Sequence, residues 1–396
     1  MKVLYLGFSI AMLFEFGFRS SLLLIFFVHL AVYSFLFLKR GVVLVTLSDR
    51  LLGWFLFCSA LFILPWMTGF GGWYDNQPYR DVLFYTPFIN ALFFGPLLYL
   101  YIKSLTNVNY RLKKADLLHF VPGMLYLLWR LVMVVVDKLV LKHYYLMNGR
   151  VDSSFSAWYS FAWLPSLLAY LGFSIRYYLQ YRKFTYFELS FADAAGLKWL
   201  RNFLYASALI TLLEFSKFLL SLFFDLQYGE VWYYFFGFAL VVYYIAISGY
   251  SPLGFSSHKL NFAPPLLLAY ERPLYLPQAA ETTEEVEWMA GWADKVKSAM
   301  EADHLYRNPD LTLTALAEVL GTNPSLLSKV INQQFKLNFN DYVNRYRVEE
   351  VKRLMVDEKY QQFNLLAIAY DAGFNSKSTF NRAFKKVTGL NPKDFL

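Results

Sequence analysis

Two stretches near the end of the chain each place short polar and basic side chains on one predicted helix face. Such side chains hydrogen-bond to the edges of DNA bases and to phosphate oxygens, although a merely solvated helix face has a similar composition. The candidates are Ser325, Ser328, Lys329 and Asn332 in the first stretch, and Lys377, Ser378, Asn381, Arg382 and Lys385 in the second. Lys329 and Arg382 are the expected base-reading residues, whereas Thr314 and Lys385 are expected to contact phosphates.

Two copies of one sequence unit surround these stretches. Residues 313–321 match residues 365–373 at an offset of 52, and residues 325–331 match residues 378–384 at an offset of 53. In each copy an apolar periodic segment, a glycine-containing turn and a second periodic segment follow one another. This is the pattern of a helix-turn-helix, whose second helix enters the major groove of DNA. The duplication therefore favours DNA-binding faces over solvated ones.

A helix over Asn340–Val356 is predicted to join the two copies. Its 17 residues span about 26 Å at 1.5 Å per residue. With the turns added, the two second helices would lie about 34 Å apart and enter successive major grooves. The polar stripes are expected to be exposed because the inward faces are apolar. These faces are Leu327, Val330 and Ile331 in the first copy, and Phe380, Ala383 and Phe384 in the second.

The same region closely resembles the DNA-binding domain of AraC-type transcription regulators. The resemblance is carried over the last 90 or so residues by Leu305-Tyr-Arg-Asn-Pro-Asp-Leu-Thr-Leu, Ser328-Lys-Val-Ile-Asn332, Tyr342-Val-Asn344 with Arg347, and Gly373-Phe-Asn-Ser-Lys-Ser. It implies an all-helical domain with two helix-turn-helix units and double-stranded DNA as its partner. The family usually has a glycine where this chain has Lys336, and a lysine in the left-handed conformation costs on the order of 1 kcal/mol. The family's usual soluble sugar-binding domain is absent.

The first 250 residues have the composition of a membrane protein. The whole chain is 57% hydrophobic and 17% charged, whereas soluble domains contain about 25% charged residues. A helix that crosses a bilayer needs about 20 apolar residues, and seven stretches meet this length. They are Ser20–Leu38, Leu51–Phe70, Val82–Ile102, Leu117–Val136, Ala157–Ile175, Asn202–Phe224 and Val231–Gly249. This half resembles the seven-helix membrane portion that is fused to AraC-type domains in some bacterial regulators.

The basic residues of the short loops predict the orientation, because Lys and Arg are retained on the cytoplasmic side. The first, third and fifth loops with their flanks hold twelve, and the other three loops hold four. This distribution predicts an external N-terminus and a cytoplasmic segment after Gly249. Met1–Arg19 is interpreted as an extension of the first span and not as a cleaved signal peptide. A separate eighth span is the alternative.

Four ionisable residues within the predicted spans are candidates for signal coupling, because a charge at membrane depth costs about 2.5–3.5 kcal/mol. Glu214 and Lys217 are three residues apart and could neutralise each other on one helix face. A pair with Arg130 is the alternative, and a signal-sensing role stays open beside both. His29 is interpreted as a core histidine, with a pH response as the alternative.

The composition changes at Ser251, which suggests three regions. Five prolines between Ser251 and Gln278 predict a semi-extended linker. The acidic segment from Glu281 to His304 then has helical periodicity, and is either a dimerising helix or a helix packed on the following domain. We expect a membrane domain over residues 1–250, a linker over 251–280 and a DNA-binding domain over 281–396.

Enzymatic and cofactor chemistry are not expected. With one cysteine, Cys58, the chain has no disulfide framework and no Cys-based metal site. The sequence contains no His/Glu metal spacing, no nucleophile motif and no phosphate-binding glycine loop. The site residues are therefore expected to bind rather than to catalyse.

Together these features predict an all-α protein, a seven-helix transmembrane bundle followed by a cytoplasmic domain with two helix-turn-helix units. The expected function is that of an inner-membrane regulator coupling a membrane or extracytoplasmic signal to promoter binding. Double-stranded DNA and membrane lipid are the expected partners, and RNA polymerase, a second copy of the chain and an unidentified ligand are further candidates. The alternatives are a transporter or receptor with a regulatory DNA-binding tail, and a tether that binds DNA without regulating it.

Overall fold

The computed structural model describes residues 14–107, 109–147, 153–191, 197–251, 260, 262, 264–265, 267 and 283–395, and the regular elements of these residues are helices. The predicted all-α class is therefore confirmed for this part of the chain. Most of the predicted linker, and residues 1–13 of the Met1–Arg19 segment, lie outside the described residues.

The chain divides into two compact units. The first comprises Met1–Ile175 and Trp199–Phe255, and the second comprises Arg176–Lys198 and Ser256–Leu396. The α-helices of the described residues up to Tyr250 are α1 (Phe18–Val43), α2 (Leu47–Phe70), α3 (Tyr79–Tyr85), α4 (Phe94–Thr106), α5 (Lys114–Leu117), α6 (Val121–Val134), α7 (Ser153–Glu188), α8 (Leu197–Phe223) and α9 (Tyr228–Tyr250). The first two residues of α8 belong to the second unit. Because α7 extends beyond Ile175, its last residues belong to the second unit.

Five helical segments of the described residues are long and apolar enough to cross a membrane. They are Phe18–Val43, Leu47–Phe70, Lys114–Val140, Lys198–Phe223 and Tyr228–Tyr250. These segments contain or largely overlap five of the seven predicted spans. The total of seven spans therefore stays a prediction.

The third predicted span, Val82–Ile102, is not one continuous helix. Helix α3 ends at Tyr85, and Thr86 is extended with φ −77° and ψ 132°, as expected for a residue that precedes a proline. Helix α4 begins only at Phe94, and its 13 residues cover about 20 Å. The fifth predicted span lies within α7, which has 36 residues but is not among the five segments above.

Aromatic side chains form much of the core of the first unit. The Phe62 ring lies 5.0 Å from the ring of Phe238 and 5.6 Å from that of Phe94, so α2, α4 and α9 meet at this residue. The turn between α1 and α2 is closed by an ion pair of 2.7 Å between Arg40 and Asp49. Helices α1 and α2 consequently pack along each other as a hairpin.

Six α-helices follow between Thr283 and Phe395, the part of the second unit that the structure describes continuously. They are α10 (Thr283–Glu301), α11 (Leu313–Val319), α12 (Pro324–Phe335), α13 (Phe339–Met355), α14 (Leu365–Asp371) and α15 (Lys377–Thr388). A side-chain oxygen caps the first turn of each of the last five, which explains why these short helices begin where they do. The caps are Thr312, Asn323, Asn338, Asn364 and Ser376.

Candidate DNA interface

The two sequence copies form two helix-turn-helix pairs, α11 with α12 and α14 with α15. Each turn contains a glycine in the left-handed region, Gly321 with φ +65° and Gly373 with φ +98°. A Cβ atom at Gly373 would lie 2.5 Å from the carbonyl oxygen of Tyr306, so this turn requires glycine for space as well as for conformation. Helix α13 joins the pairs and lies within one residue of its predicted bounds.

Helix α15 presents its predicted face to solvent. Lys377, Ser378, Asn381, Arg382 and Lys385 are all exposed. On the opposite face, Phe380 and Phe384 are buried together with Phe374 in the core of the second helix-turn-helix. An ion pair of 2.7 Å between Lys386 and Asp341 links α15 to α13. The second copy therefore has an exposed stripe of polar and basic side chains on a helix that is held in place by its buried face and by this ion pair.

Helix α12 differs from its prediction at two positions. Ser325 and Lys329 are half-buried, but Ser328 and Asn332 are 3% and 7% exposed. The expected exposure of these two is therefore wrong. The buried face is wider than the predicted apolar stripe because α10, α11 and α13 all pack against α12. Ser328 and Asn332, one turn apart, are joined by a side-chain hydrogen bond of 3.2 Å.

Residues 186–191 lie on the C-terminal helices, and we call them the docking segment. No pattern in the sequence pointed to them. The Nη1 atom of Arg382 donates to the Tyr186 hydroxyl over 3.2 Å, and the guanidinium carbon lies 5.5 Å from the centre of the Tyr186 ring. The amide of Thr314 donates to the Glu188 carboxylate over 3.2 Å. These contacts join residues well over one hundred positions apart, so neither periodicity nor spacing could indicate them.

Arg347 occupies the centre of this arrangement. Its side chain is fully buried and donates to the carbonyl oxygens of Tyr306 and Asn308, over 2.7 Å in both cases. It also donates to the Ser190 hydroxyl over 3.0 Å and lies 3.3 Å from the Ser190 carbonyl oxygen. Burial lowers the pKa of Arg347 to about 9, so the guanidinium stays charged at pH 7. A buried charge is tolerated because these acceptors satisfy it.

Glu350 connects α13 with the turn at Leu305–Arg307. Its carboxylate accepts hydrogen bonds from Arg353, over 2.9 Å, and from Arg307. These bonds, with that from Arg353 first, lower the pKa of Glu350 to about 2. The carboxylate is thus ionised throughout the physiological range.

The signal-coupling candidates belong to the first unit and do not form one cluster. Glu214 and Lys217 are paired over 2.8 Å, as predicted, and the Lys217 ammonium lies 4.2 Å from the centre of the Tyr234 ring. Arg130 instead donates to the Tyr126 hydroxyl and to the carbonyl of Phe84. His29 lies on the exposed face of α1, so its interpretation as a core histidine is wrong, because the inward face of α1 is formed by other residues.

Metal binding has no structural support among the described residues, where no three His, Cys, Asp or Glu side chains converge as ligands. Asp341, Arg347 and Glu350 are instead engaged in the ion pair and hydrogen bonds described above. The chemistry available here is therefore hydrogen bonding and charge attraction toward an anionic partner.

Residues 316–396 match the family described as "Helix-turn-helix domain". The chain is also similar to an uncharacterised HTH-type transcriptional regulator of Staphylococcus aureus strain COL, with 32% identity over 102 residues. A protein of Streptomyces antibioticus with the name "Putative AraC-like transcription regulator" is 30% identical over 132 residues. The C-terminal region is an AraC-type helix-turn-helix domain.

The similarity to these two relatives covers only part of each chain. The matched segments cover 26% of this chain and 13% of the Staphylococcus protein, and 33% of this chain and 42% of the Streptomyces protein. No solved structure is significantly similar to the chain. Both relatives carry names of transcriptional regulators, and this chain spans less than half of the length of either.

Proposed function

We propose that the protein is a membrane-anchored, sequence-specific transcription regulator that couples a membrane or extracytoplasmic signal to promoter binding. The observation that carries the proposal is the exposed stripe of α15, in which Arg382, Lys377 and Lys385 provide charge while Ser378 and Asn381 provide short hydrogen-bonding groups. This combination suits base edges and phosphates in a major groove. On α12, Ser325 and Lys329 are the half-buried candidates for the same role.

The membrane part of the proposal rests on the five long apolar helices of the described residues. We propose that the chain crosses the inner membrane seven times, with its N-terminus outside and the AraC-type domain in the cytoplasm. The distribution of basic residues among the loops supports this orientation. DNA and lipid would be direct partners, whereas RNA polymerase, a second copy of the chain and the signal ligand are proposed partners of the active regulator.

The paired Glu214 and Lys217 are proposed as part of the signal-coupling machinery. The pair is covered within the first unit, with Glu214 only 3% exposed, and an ion pair removed from water is sensitive to changes in its surroundings. A ligand or lipid that altered the packing around Lys217 and Tyr234 would shift the balance of this pair. Arg130, which donates to Tyr126 and Phe84, and His29, on the exposed face of α1, are further candidates.

Binding of full-length protein in nanodiscs to DNA tests the regulatory proposal. A duplex is first selected from a random pool, and its affinity is then measured by fluorescence anisotropy. We expect Arg382→Ala to reduce discrimination between the selected duplex and a scrambled one by about 1–3 kcal/mol, roughly 5- to 150-fold, because a base-reading arginine is lost.

The control is Lys359→Ala, which removes a positive charge at an exposed position of the turn after α13. It is expected to weaken binding to both duplexes slightly and equally. Undiminished discrimination by Arg382→Ala would contradict the proposed role of α15. Solute uptake that survives deletion of the AraC-type domain would favour the transporter alternative, and unchanged transcript levels after that deletion would favour the passive tether.

A further inference from the structure

The docking segment is bound to the AraC-type domain by backbone pairing, side-chain hydrogen bonds and apolar contacts. The Ser190 hydroxyl donates to the carbonyl oxygen of Leu311 over 2.7 Å, and the backbone of Leu189 forms an antiparallel bridge with Thr312. The Asn340 side chain donates to the Leu189 carbonyl over 2.9 Å. The side chains of Leu189 and Phe191 are at most 1% exposed. Backbone pairing and apolar burial together make this a specific contact.

The buried Arg347 makes the contact selective. Two of its acceptors, the hydroxyl and the carbonyl oxygen of Ser190, belong to the docking segment. Withdrawal of the segment would leave part of the guanidinium to be satisfied by water or by other groups, and an unsatisfied buried donor costs about 1–3 kcal/mol. The AraC-type domain therefore contains a site that this segment completes.

The docked segment also engages residues that are proposed to contact DNA. Tyr186 accepts a hydrogen bond from Arg382 and lines a cleft of about 680 Å³ together with Thr379, Arg382 and Lys386 of α15. Glu188, 5% exposed, places its carboxylate against the amide of Thr314. A carboxylate at this position would repel an approaching DNA phosphate, and the hydrogen bond to Tyr186 must break before the Nη1 atom of Arg382 can donate to a base.

We propose that residues 186–191 form an intramolecular competitor of DNA, which occupies the AraC-type domain until a signal acting through α7 withdraws it. This regulatory inference rests on the proposed function. Helix α7 runs without interruption from Ser153 to Glu188, so a shift or rotation along it acts directly on Tyr186 and Glu188. The apparent affinity for DNA is reduced by the fraction of molecules that remain docked.

A reversible cross-link tests this competition in the full-length chain. Residues paired in an antiparallel bridge have Cα atoms about 4.5–5.5 Å apart, within the range of about 4.4–6.8 Å that a disulfide spans. The variant is Leu189→Cys with Thr312→Cys in a Cys58→Ser background. We expect the oxidised form to bind the selected duplex at least about tenfold more weakly than the reduced form of the same variant, with binding restored by dithiothreitol.

A second variant avoids substitution of the fully buried Leu189. Tyr186→Ala with Glu188→Ala is expected to bind the selected duplex about tenfold or more tightly than the wild type, because docking is weakened. The matched control is Tyr370→Ala with Glu318→Ala, which removes the same two side-chain types from exposed positions of α14 and α11. The control corrects for the general effect of one fewer negative charge on DNA affinity.

The outcomes separate the two proposals. Equal DNA affinity of the oxidised and reduced forms, with no gain in Tyr186→Ala/Glu188→Ala beyond its control, overturns the competition while leaving the DNA-binding function intact. If neither the wild type nor Tyr186→Ala/Glu188→Ala selects a duplex from the random pool, the proposed function itself fails. Tighter DNA binding by Tyr186→Ala/Glu188→Ala and weaker DNA binding by the oxidised double-cysteine variant support both the competition and the proposed function.

Discussion

Lys336 and Gly389 end the second helices of the two helix-turn-helix copies, and both lie in the left-handed region. Lys336 has φ +56° and Gly389 has φ +81°. Glycine adopts this conformation without the steric cost that a side chain imposes. The first copy is therefore terminated by a residue poorly suited to its backbone, while the second copy is not.

Lys336→Gly is expected to stabilise the protein by about 1 kcal/mol, because it relieves this conformation at a C-cap. The measurement is the change in unfolding temperature of the full-length chain in detergent. Gln334→Gly is the control, since it places glycine two residues earlier inside α12 at an exposed position and should destabilise by about 0.5–1 kcal/mol. Destabilisation by both variants would contradict the left-handed conformation at Lys336.

At the scale of elements, Glu350 ties α13 to the turn at Leu305–Arg307 and contributes a pH-dependent part of the stability. Its pKa is about 2 in the folded protein, against an ordinary value of 4.5. A lowered folded-state pKa stabilises above the unfolded value, and that contribution is lost as the pH falls from about 4.5 towards 2. The contribution is on the order of 1 kcal/mol, since Arg353 is largely exposed.

Glu350→Gln should accordingly lower the unfolding temperature of the full-length chain at pH 6 and have a much smaller effect at pH 3. Glu349→Gln is the neighbouring control, because Glu349 is exposed and its ion pair of 2.8 Å with Lys352 lies on the helix surface. Little effect is expected from it at either pH. An equal destabilisation by Glu350→Gln at pH 6 and pH 3 would exclude ionisation of Glu350 as its cause.

Short sequence patterns predict most of the helices, because the apolar periodicity of a helix depends on residues that are close together in the sequence. Apolar length defined α1, α2, α8 and α9, and the repeat defined α11 to α15 within a few residues. The third predicted span is interrupted at Thr86–Pro87, where the conformational effect of the proline on the preceding residue outweighs apolar composition. The exposed face of α15 follows from the apolar periodicity of that helix. The burial of Ser328 and Asn332 depends instead on three helices that pack against α12, and the sequence of α12 does not indicate their positions.

At the scale of the whole molecule, the proposed orientation in the membrane predicts which loops a thiol reagent can reach. In a Cys58→Ser background, a membrane-impermeant thiol reagent should label Asn76→Cys on intact cells, because the second loop is predicted outside. Both Asn76 and Arg111 are exposed in the structure. Arg111→Cys, in the third loop, should be labelled only after lysis. Labelling of Arg111→Cys on intact cells would reverse the proposed topology.

The docking segment precedes α8 and α9 in the chain but contacts the AraC-type domain. A fragment that is expressed without the segment therefore differs from a full-length protein that has been cut in the linker. A polypeptide expressed from residue 281 onwards would lack Ser190 beside Arg347 and Tyr186 beside Arg382. A protease that cut the linker would sever the peptide bond but leave these non-covalent contacts in place. Under the proposed function, cleavage alone would therefore not release the AraC-type domain from the rest of the chain, and an expressed fragment would be less stable but free of the proposed competitor.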